Sequence, residues 1–109
     1  MIKQHELEKI TALKQPFIES RVIKISNNSY RLKVWNSGAA NAYSIMVSIP
    51  EEYGVIVVCE AMPFECLEPG NSFEEVAIVH MKTKSKFNIN SSWRDSDGKE
   101  YSNEQWRTL

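Results

Sequence analysis

The stretch at residues 30–50 reads YRLKVWNSGAANAYSIMVSIP and decides the fold of this chain. Its first part alternates between apolar and polar side chains, with Tyr30, Leu32 and Val34 on one face. An alternation with a period of two is typical of a β-strand that has one buried and one solvated face. The apolar spacing of three and four that a helix requires is absent, so the stretch begins with a strand.

A break and a second strand complete this stretch. Asn36, Ser37 and Gly38 supply turn chemistry, because Asn and Gly tolerate left-handed backbone angles. The alternation then resumes, and one face of the second strand carries Tyr43, Ile45, Val47 and Ile49. Pro50 cannot donate a hydrogen bond to a sheet ladder, so we expect the strand to end there.

Five further segments have the composition of strands: residues 17–26, 55–58, 73–80, 87–93 and 99–109. We expect the first to be an edge strand because its alternation is imperfect. The apolar run at residues 55–58 is interpreted as a short strand that is buried on both sides or lies under a loop. The register of residues 73–80 stays open, since either Val76 and Ile78 or Phe73, Ala77 and Val79 could point inward.

Two loops separate the later strands. Residues 60–70 contain Pro63 and Pro69, so we expect no regular strand to cross this connection whole. Asp95-Ser96-Asp97-Gly98 lies between two strand patterns and predicts a hairpin loop in which Gly98 takes a positive φ. A calcium loop would need further ligands and flanking helices, so the hairpin is the better interpretation.

These patterns predict an all-β domain at residues 16–109, an immunoglobulin-like antiparallel β-sandwich of about seven strands. A small closed barrel is the alternative. Residues 1–15 are expected to form a short N-terminal amphipathic helix with Leu7, Ile10 and Leu13 on its apolar stripe. A helix this short should pack on the domain, pair with another copy or continue an upstream helix.

Composition limits the classes of function. The chain has 109 residues, enough for one domain, and a formal net charge of −1, which gives no electrostatic case for nucleic acid or anionic lipid. No apolar run is long enough to span a membrane, and residues 1–15 do not resemble a signal peptide. A complete chain of this kind would be cytoplasmic, but we interpret the sequence as the C-terminal part of a larger protein.

Three pieces of the chain carry a resemblance to a known family: Leu32-Lys33-Val34-Trp35-Asn36-Ser37-Gly38 with Ala42 and the strand after it, the corner Leu67-Glu68-Pro69-Gly70-Asn71-Ser72, and the hairpin around Trp93-Arg94-Asp95 and Gly98-Lys99. With these pieces the chain resembles the bacterial immunoglobulin-like domains of the CARDB type. The resemblance covers residues 30–109 and implies a β-sandwich attached to other domains, with no shared catalytic residues. The expected N-terminal helix and the apolar run at residues 55–59 depart from the pattern.

The residues that could carry chemistry are few. The histidines, His5 and His80, have no second histidine near them in sequence, and Cys59 and Cys66 lack the spacing of a zinc site. Free thiols are favoured over a disulfide because the chain has no export signal. A pairing of either cysteine with His80 as nucleophile and base would need proximity in space. We therefore predict no enzyme, no cofactor and no metal.

The tryptophans remain as candidates for contact with a ligand. Trp93 shares a strand face with Phe87 and Ile89 and is predicted to lie in the core, whereas Trp35 and Trp106 could contact a ligand or partner. The leading hypothesis is a non-catalytic interaction or spacer module that binds a protein through an edge strand or a sheet face. The alternative is a carbohydrate-binding accessory domain with two coplanar Trp rings on one face. A homo-oligomer through the N-terminal helix is also consistent with the sequence.

Overall fold

The computed structural model describes residues 15–80, 83 and 85–109, which form eight β-strands. The strands are β1 (Ile18–Ser26), β2 (Ser29–Asn36), β3 (Ala42–Ser48), β4 (Val55–Val58), β5 (Phe64–Leu67), β6 (Ser72–Val79), β7 (Lys86–Arg94) and β8 (Glu100–Thr108). A short 3₁₀ turn at Glu51–Tyr53 connects β3 to β4. The helix predicted for residues 1–15 lies outside the described residues, which begin at Gln15.

The strands form two antiparallel four-stranded sheets. Sheet A has the order β1-β2-β6-β4, and sheet B has the order β5-β3-β7-β8. Side chains from both sheets meet in one apolar core, in which the largest fully buried members are Phe87, Ile18, Leu32, Ile45 and Ile89. The predicted all-β antiparallel sandwich is confirmed.

The predicted count of about seven strands is one too low, because the sequence pattern missed β5. Pro63 and Pro69 flank this strand instead of interrupting it, so no ladder N–H group is lost. β5 pairs with the first half of β3, where Leu67 lies opposite Ala42. The second half of β3 has no strand partner on this side among the described residues.

The register of β6 is set by packing between the sheets. Phe73 and Ala77 are buried, whereas Val76 and Ile78 are 42% and 47% exposed on the outer face. Glu75 also points inward, and both of its carboxylate oxygens accept the Ala61 N–H, at 3.1 and 3.0 Å. A buried carboxylate on the inner face explains why alternation alone left the register open.

Tyr43 was predicted on the wrong face. The pairing of β3 with β7 shifts register between Tyr43 and Met46, and Ser44 within this bulge has a φ of 51°. Strict alternation would place two residues three positions apart on opposite faces of the strand. The bulge instead puts both Ala42 and Ile45 in the core. Tyr43 is therefore only half-buried, and the predicted inward face begins at Ile45.

The hairpin loop before β8 has the predicted form. Gly98 has a φ of 82°, and the Asp95 carboxylate accepts backbone N–H groups of Asp97 and Lys99 at 2.9 and 3.0 Å. Its other oxygen accepts the Tyr101 hydroxyl at 2.9 Å. Partial desolvation tends to raise the pKa of Asp95, but the bonds from the Lys99 backbone, Tyr101 and the Asp97 backbone lower that pKa overall.

We expect the stability that this loop contributes to fall both at low pH and at high pH. The Asp95 pKa is lowered, so its stabilisation is present above the ordinary value of 3.8 and is lost as pH falls through the lowered pKa. The pKa of Tyr101 is raised by its bond to Asp95, so that contribution is lost as pH rises through the raised pKa. An NMR titration should show the Asp95 pKa move upward in Tyr101→Phe, and an unchanged pKa would contradict the account.

Candidate functional site

One side of the sandwich is closed by polar side chains of β8. Asn103 donates to the carbonyl of Ile18 at 3.0 Å, Gln105 accepts the N–H of Ser20 at 3.1 Å, and Arg107 donates to the carbonyl of Ser20 at 2.9 Å. These bonds occupy backbone groups at the outer edge of β1. The edge of β1 is therefore not available to pair with another strand.

The opposite side of the sandwich is not covered by any of the described residues. A groove of about 430 Å³ runs between the free part of β3 and the edge strand β4. Apolar side chains line it, among them Val47, Ile49, Val55 and Val57. The Val47 N–H faces the sulfur of Met62 at 3.1 Å, a weak acceptor, so the free part of β3 has no strong capping bond from the described residues.

The groove also contains the cysteine and histidine weighed as a catalytic pair. His80 donates its backbone N–H to Gly54 just before β4, whereas Cys59 follows the last residue of β4. Roughly 16 Å of extended backbone separates Gly54 from Cys59. The thiol and the imidazole thus lie at opposite ends of the groove. Cys59 and Cys66 are both free and exposed, as the sequence favoured.

Apolar side chains form a patch on the outer face of sheet A beside the open edge. Ile56 of β4 lies opposite Ile78 of β6, and Val58 lies opposite Val76. Ile56 is 46% exposed, so the interpretation of residues 55–58 as buried on both sides was wrong. These four residues are called the aliphatic patch below. They lie side by side and so form one continuous apolar surface, unlike the single exposed apolar residues that are normal on a protein surface.

A second groove, of about 590 Å³, lies at the other end of the same outer face. Its lining includes Trp35 with three basic side chains, Arg21, Lys33 and Arg107, and one acidic side chain, Glu19. We call it the basic groove.

Charge is unbalanced in the basic groove. Arg21 and Lys33 lie directly opposite each other on β1 and β2, a destabilising arrangement for like charges. Glu19 lies 3.8 Å from Arg107, and Glu74, the cross-strand neighbour of Lys33, lies 3.8 Å from Arg31 instead. Among the described residues, Arg21 and Lys33 therefore have no ion-pair partner.

The predicted contact residues Trp35 and Trp106 lie on opposite outer faces of the sandwich. Trp35 lies on sheet A, whereas Trp106 lies on β8 of sheet B, 54% exposed, with Tyr53 edge-on at 6.1 Å and Lys86 over its ring at 5.7 Å. Trp93 is buried, as predicted, and stacks against Tyr101. Trp35 and Trp106 thus cannot form one flat binding surface.

The basic groove and the open edge of β4 were not recognised from the pattern of the sequence. Arg21 and Lys33 were each placed on a strand, but the pattern within a strand does not identify the residue across from it. The signal that could have found the open edge is the run Val55–Val58, because it contains no charge, proline or glycine.

Within residues 15–80, 83 and 85–109, no group of three or more His, Cys, Asp or Glu side chains could hold a metal ion. In the same part of the chain, no helix has the length and hydropathy needed to span a membrane.

Comparisons with known proteins bear on the fold alone. No family model matches the chain, and no curated protein matches it. Among solved structures, it is similar to the GAE domain of GGA2p from Saccharomyces cerevisiae, with a TM-score of 0.50 and 12% sequence identity. The match covers 88% of this chain and 90% of that domain. Together with the two antiparallel sheets, this similarity identifies the chain as an immunoglobulin-like β-sandwich.

Proposed function

We propose that this domain is a non-catalytic protein-interaction module that docks an acidic segment of a partner on the basic groove of sheet A. The observation that carries the proposal is the pair of cations, Arg21 and Lys33, that face each other beside Trp35 without an acidic partner among the described residues. A carboxylate from outside would relieve the repulsion between them.

The chemistry of the groove defines the partner. Arg21 offers a planar guanidinium group, which binds carboxylates through two parallel hydrogen bonds, and Lys33 adds a point charge. Arg107 adds positive charge to the groove but is already bound to Ser20 and close to Glu19. The half-buried Trp35 indole gives an apolar surface on which an aromatic side chain of the partner can stack. The partner segment is therefore rich in Asp or Glu and carries an aromatic residue next to them.

The carbohydrate alternative from the sequence has less support. It required two coplanar tryptophans on one face, and Trp35 and Trp106 lie on different sheets. The three corners that resemble CARDB-type domains coincide with the bend after β2, the corner before β6 and the hairpin before β8. This coincidence supports the further proposal that the chain is a CARDB-type module of a larger bacterial protein.

The test uses the full chain and a fluorescent Glu-rich peptide with a central Phe. We expect binding by anisotropy at low salt, weakening as ionic strength rises, and no binding of the peptide in which Gln replaces each Glu. The double variant Arg21→Glu with Lys33→Glu should bind at least about tenfold more weakly. Trp35→Ala should weaken binding while the circular dichroism spectrum stays unchanged.

The matched control makes the same charge changes on sheet B, as Lys86→Glu with Arg94→Glu. This variant has the same net charge, so it should bind the peptide as the wild type does. Equal losses in the two double variants would show a general charge effect and contradict the proposal. Failure of the Glu-rich peptide to bind, or equally tight binding of a single-stranded oligonucleotide, would also contradict it.

A further inference from the structure

We infer that β4 is the contact edge of a homodimer, in which a second copy of this chain extends sheet A antiparallel across a twofold axis at Val57. This inference is independent of the proposed function, because the basic groove lies at the other end of the outer face and stays open in the dimer.

The four edge strands differ in how they are protected from pairing with another strand. The edge of β1 is capped by side chains of β8, and β1 also has an irregularity between Lys24 and Ser26. β8 carries the charges of Glu100, Glu104 and Arg107. β5 contains the charge of Glu65 and has Pro63 just before it. Each of these features is a known means of preventing edge-to-edge pairing.

β4 is as short as β5, but among the described residues it has no charge, proline or irregularity. The bond to its edge from a side chain is a weak one, from the Cys59 thiol to the Val57 carbonyl at 3.8 Å. Its sequence is Val-Ile-Val-Val, with strong β propensity and no charge. His80 donates to the Gly54 carbonyl at 3.1 Å, so Gly54 and His80 form a hydrogen-bonded pair at the start of the strand. Pairs alternate along an antiparallel ladder, and therefore the N–H and C=O groups of Val55 and Val57 point to the open edge.

Geometry limits the position of the twofold axis. Directly opposed residues in an antiparallel sheet lie on the same face of the sheet. A twofold axis perpendicular to the sheet must therefore pass through a residue that lies opposite its own copy. Within β4, that residue is either Ile56 or Val57. An axis at Ile56 sets Val58 against Gly54, whose left-handed φ of 81° does not continue a strand. The axis at Val57 sets Val58 against Ile56 and lets the two Val57 residues exchange N–H···O bonds.

Charge favours the same axis and identifies a second copy as the occupant. With the axis at Ile56, Glu60 would lie toward Glu52 of the second copy, and the two acidic groups would repel each other. With the axis at Val57, Glu60 faces Gly54 of the second copy. The edge is thus complementary to itself without any like-charge contact.

Apolar burial supplies the gain in free energy. On the outer face, the exposed Ile56 would pack against Val58 of the second copy and cover part of the aliphatic patch. On the inner face, Val55 and Val57 of the second copy would point toward the groove that Val47 and Ile49 line. The contact spans only one short strand, so the dimer should be concentration-dependent and not permanent.

The first test compares two isoleucines on the same face with nearly equal exposure, Ile56 at 46% and Ile78 at 47%. Sedimentation velocity of the full chain over a series of concentrations should show a monomer–dimer equilibrium. Ile56→Lys at the edge should weaken the dimer at least about tenfold, whereas Ile78→Lys on β6 should change it by less than about twofold. A wild type that stays monomeric, or a dimer that survives Ile56→Lys, would overturn the inference.

The second test determines the register by disulfide trapping. In a Cys59→Ser, Cys66→Ser background, Val57→Cys places two thiols across the twofold axis, within the Cα separation that a disulfide needs. Ile56→Cys places its thiol opposite Val58 and leaves it without a partner. Mild oxidation should cross-link the first variant and not the second. Cross-linking of Ile56→Cys alone would reject the proposed axis.

Discussion

Asn36→Ala should lower the free energy of unfolding by about 3 to 5 kcal/mol, the largest loss we expect from a single polar substitution in this domain. The side chain is fully buried, and both the oxygen and the nitrogen of its amide form hydrogen bonds. Its oxygen accepts the N–H groups of Phe17 and Gly38 at 3.2 and 2.9 Å, and its nitrogen donates to the carbonyls of Ala40 and Leu67 at 2.8 and 2.9 Å. Alanine would leave all four backbone groups without this partner.

The bond to Leu67 joins sheet A to sheet B, which no strand pairing among the described residues does. Together, the bonds of Asn36 link the segment before β1, the bend after β2 and the end of β5 to one amide. Small domains are stable by about 5 to 15 kcal/mol, so the loss should be a large share of the total. Urea unfolding of the wild type and the variant measures the difference directly.

Two companion variants separate hydrogen bonding from volume. Asn36→Asp keeps the shape of the side chain but replaces the donor with an oxygen that faces the carbonyls of Ala40 and Leu67, so it should also be strongly destabilising. Asn27→Ala alters an exposed turn residue and should change the free energy of unfolding by less than about 0.5 kcal/mol. If Asn36→Asp were as stable as the wild type, the hydrogen-bond account would be wrong.

Gly38→Ala should destabilise the domain by about 3 kcal/mol, although the change adds only a methyl group. A Cβ at this position would lie 2.2 Å from the carbonyl oxygen of Gln15, 2.5 Å from the nitrogen of Phe17 and 2.8 Å from the carbonyl carbon of Pro16. All three contacts are with backbone, which cannot rotate away as a side chain could. The neighbouring hydrogen bond from Ala39 to Gln15, at 3.0 Å, would be broken by the displacement.

Gly98→Ala is the matched control for this prediction. No atom lies within 4 Å of a Cβ at Gly98, so its cost comes only from the positive φ and should be about 1 to 2 kcal/mol. Thermal or urea unfolding measures the loss of stability in both variants. The loss in Gly38→Ala reports the steric clash with backbone, and the loss in Gly98→Ala reports the strain of a positive φ. A smaller loss for Gly38→Ala than for Gly98→Ala would show that the segment before β1 adjusts freely and would contradict the prediction.

The effects of Asn36→Ala and Gly38→Ala on stability should be coupled. Asn36 accepts the backbone N–H of Phe17, and a Cβ at Gly38 would displace the same backbone nitrogen. The double variant should therefore lose less free energy of unfolding than the sum of the two single losses.

Local pattern was enough to predict most of the strands. The inward faces of β2 and β7 follow their alternation, because a strand that is half-buried must place apolar side chains at every second position. The Asn36-Ser37-Gly38 bend and the Gly98 hairpin were also predictable, since turn chemistry depends on residues adjacent in sequence. The pattern failed where tertiary contacts override it, at the bulge around Ser44 and at the buried Glu75.

The candidate site could be predicted only in part. The sequence predicted Trp35 as a possible contact residue, but it gave no reason to join Trp35 with Arg21 and Lys33. It predicted a strand at residues 55–58, but it placed that strand in the interior or under a loop and not at an open sheet edge.

By itself, then, the amino-acid sequence determined that this chain builds an antiparallel sandwich and which side chains of β2 and β7 fill its core, because alternation and turn chemistry are properties of neighbouring residues. Only the tertiary structure decided that Arg21 faces Lys33, that β8 caps the edge of β1 and that β4 is open. Pairing partners are selected by packing between segments that are distant in sequence, and the periodicity of one segment contains no information about its neighbour.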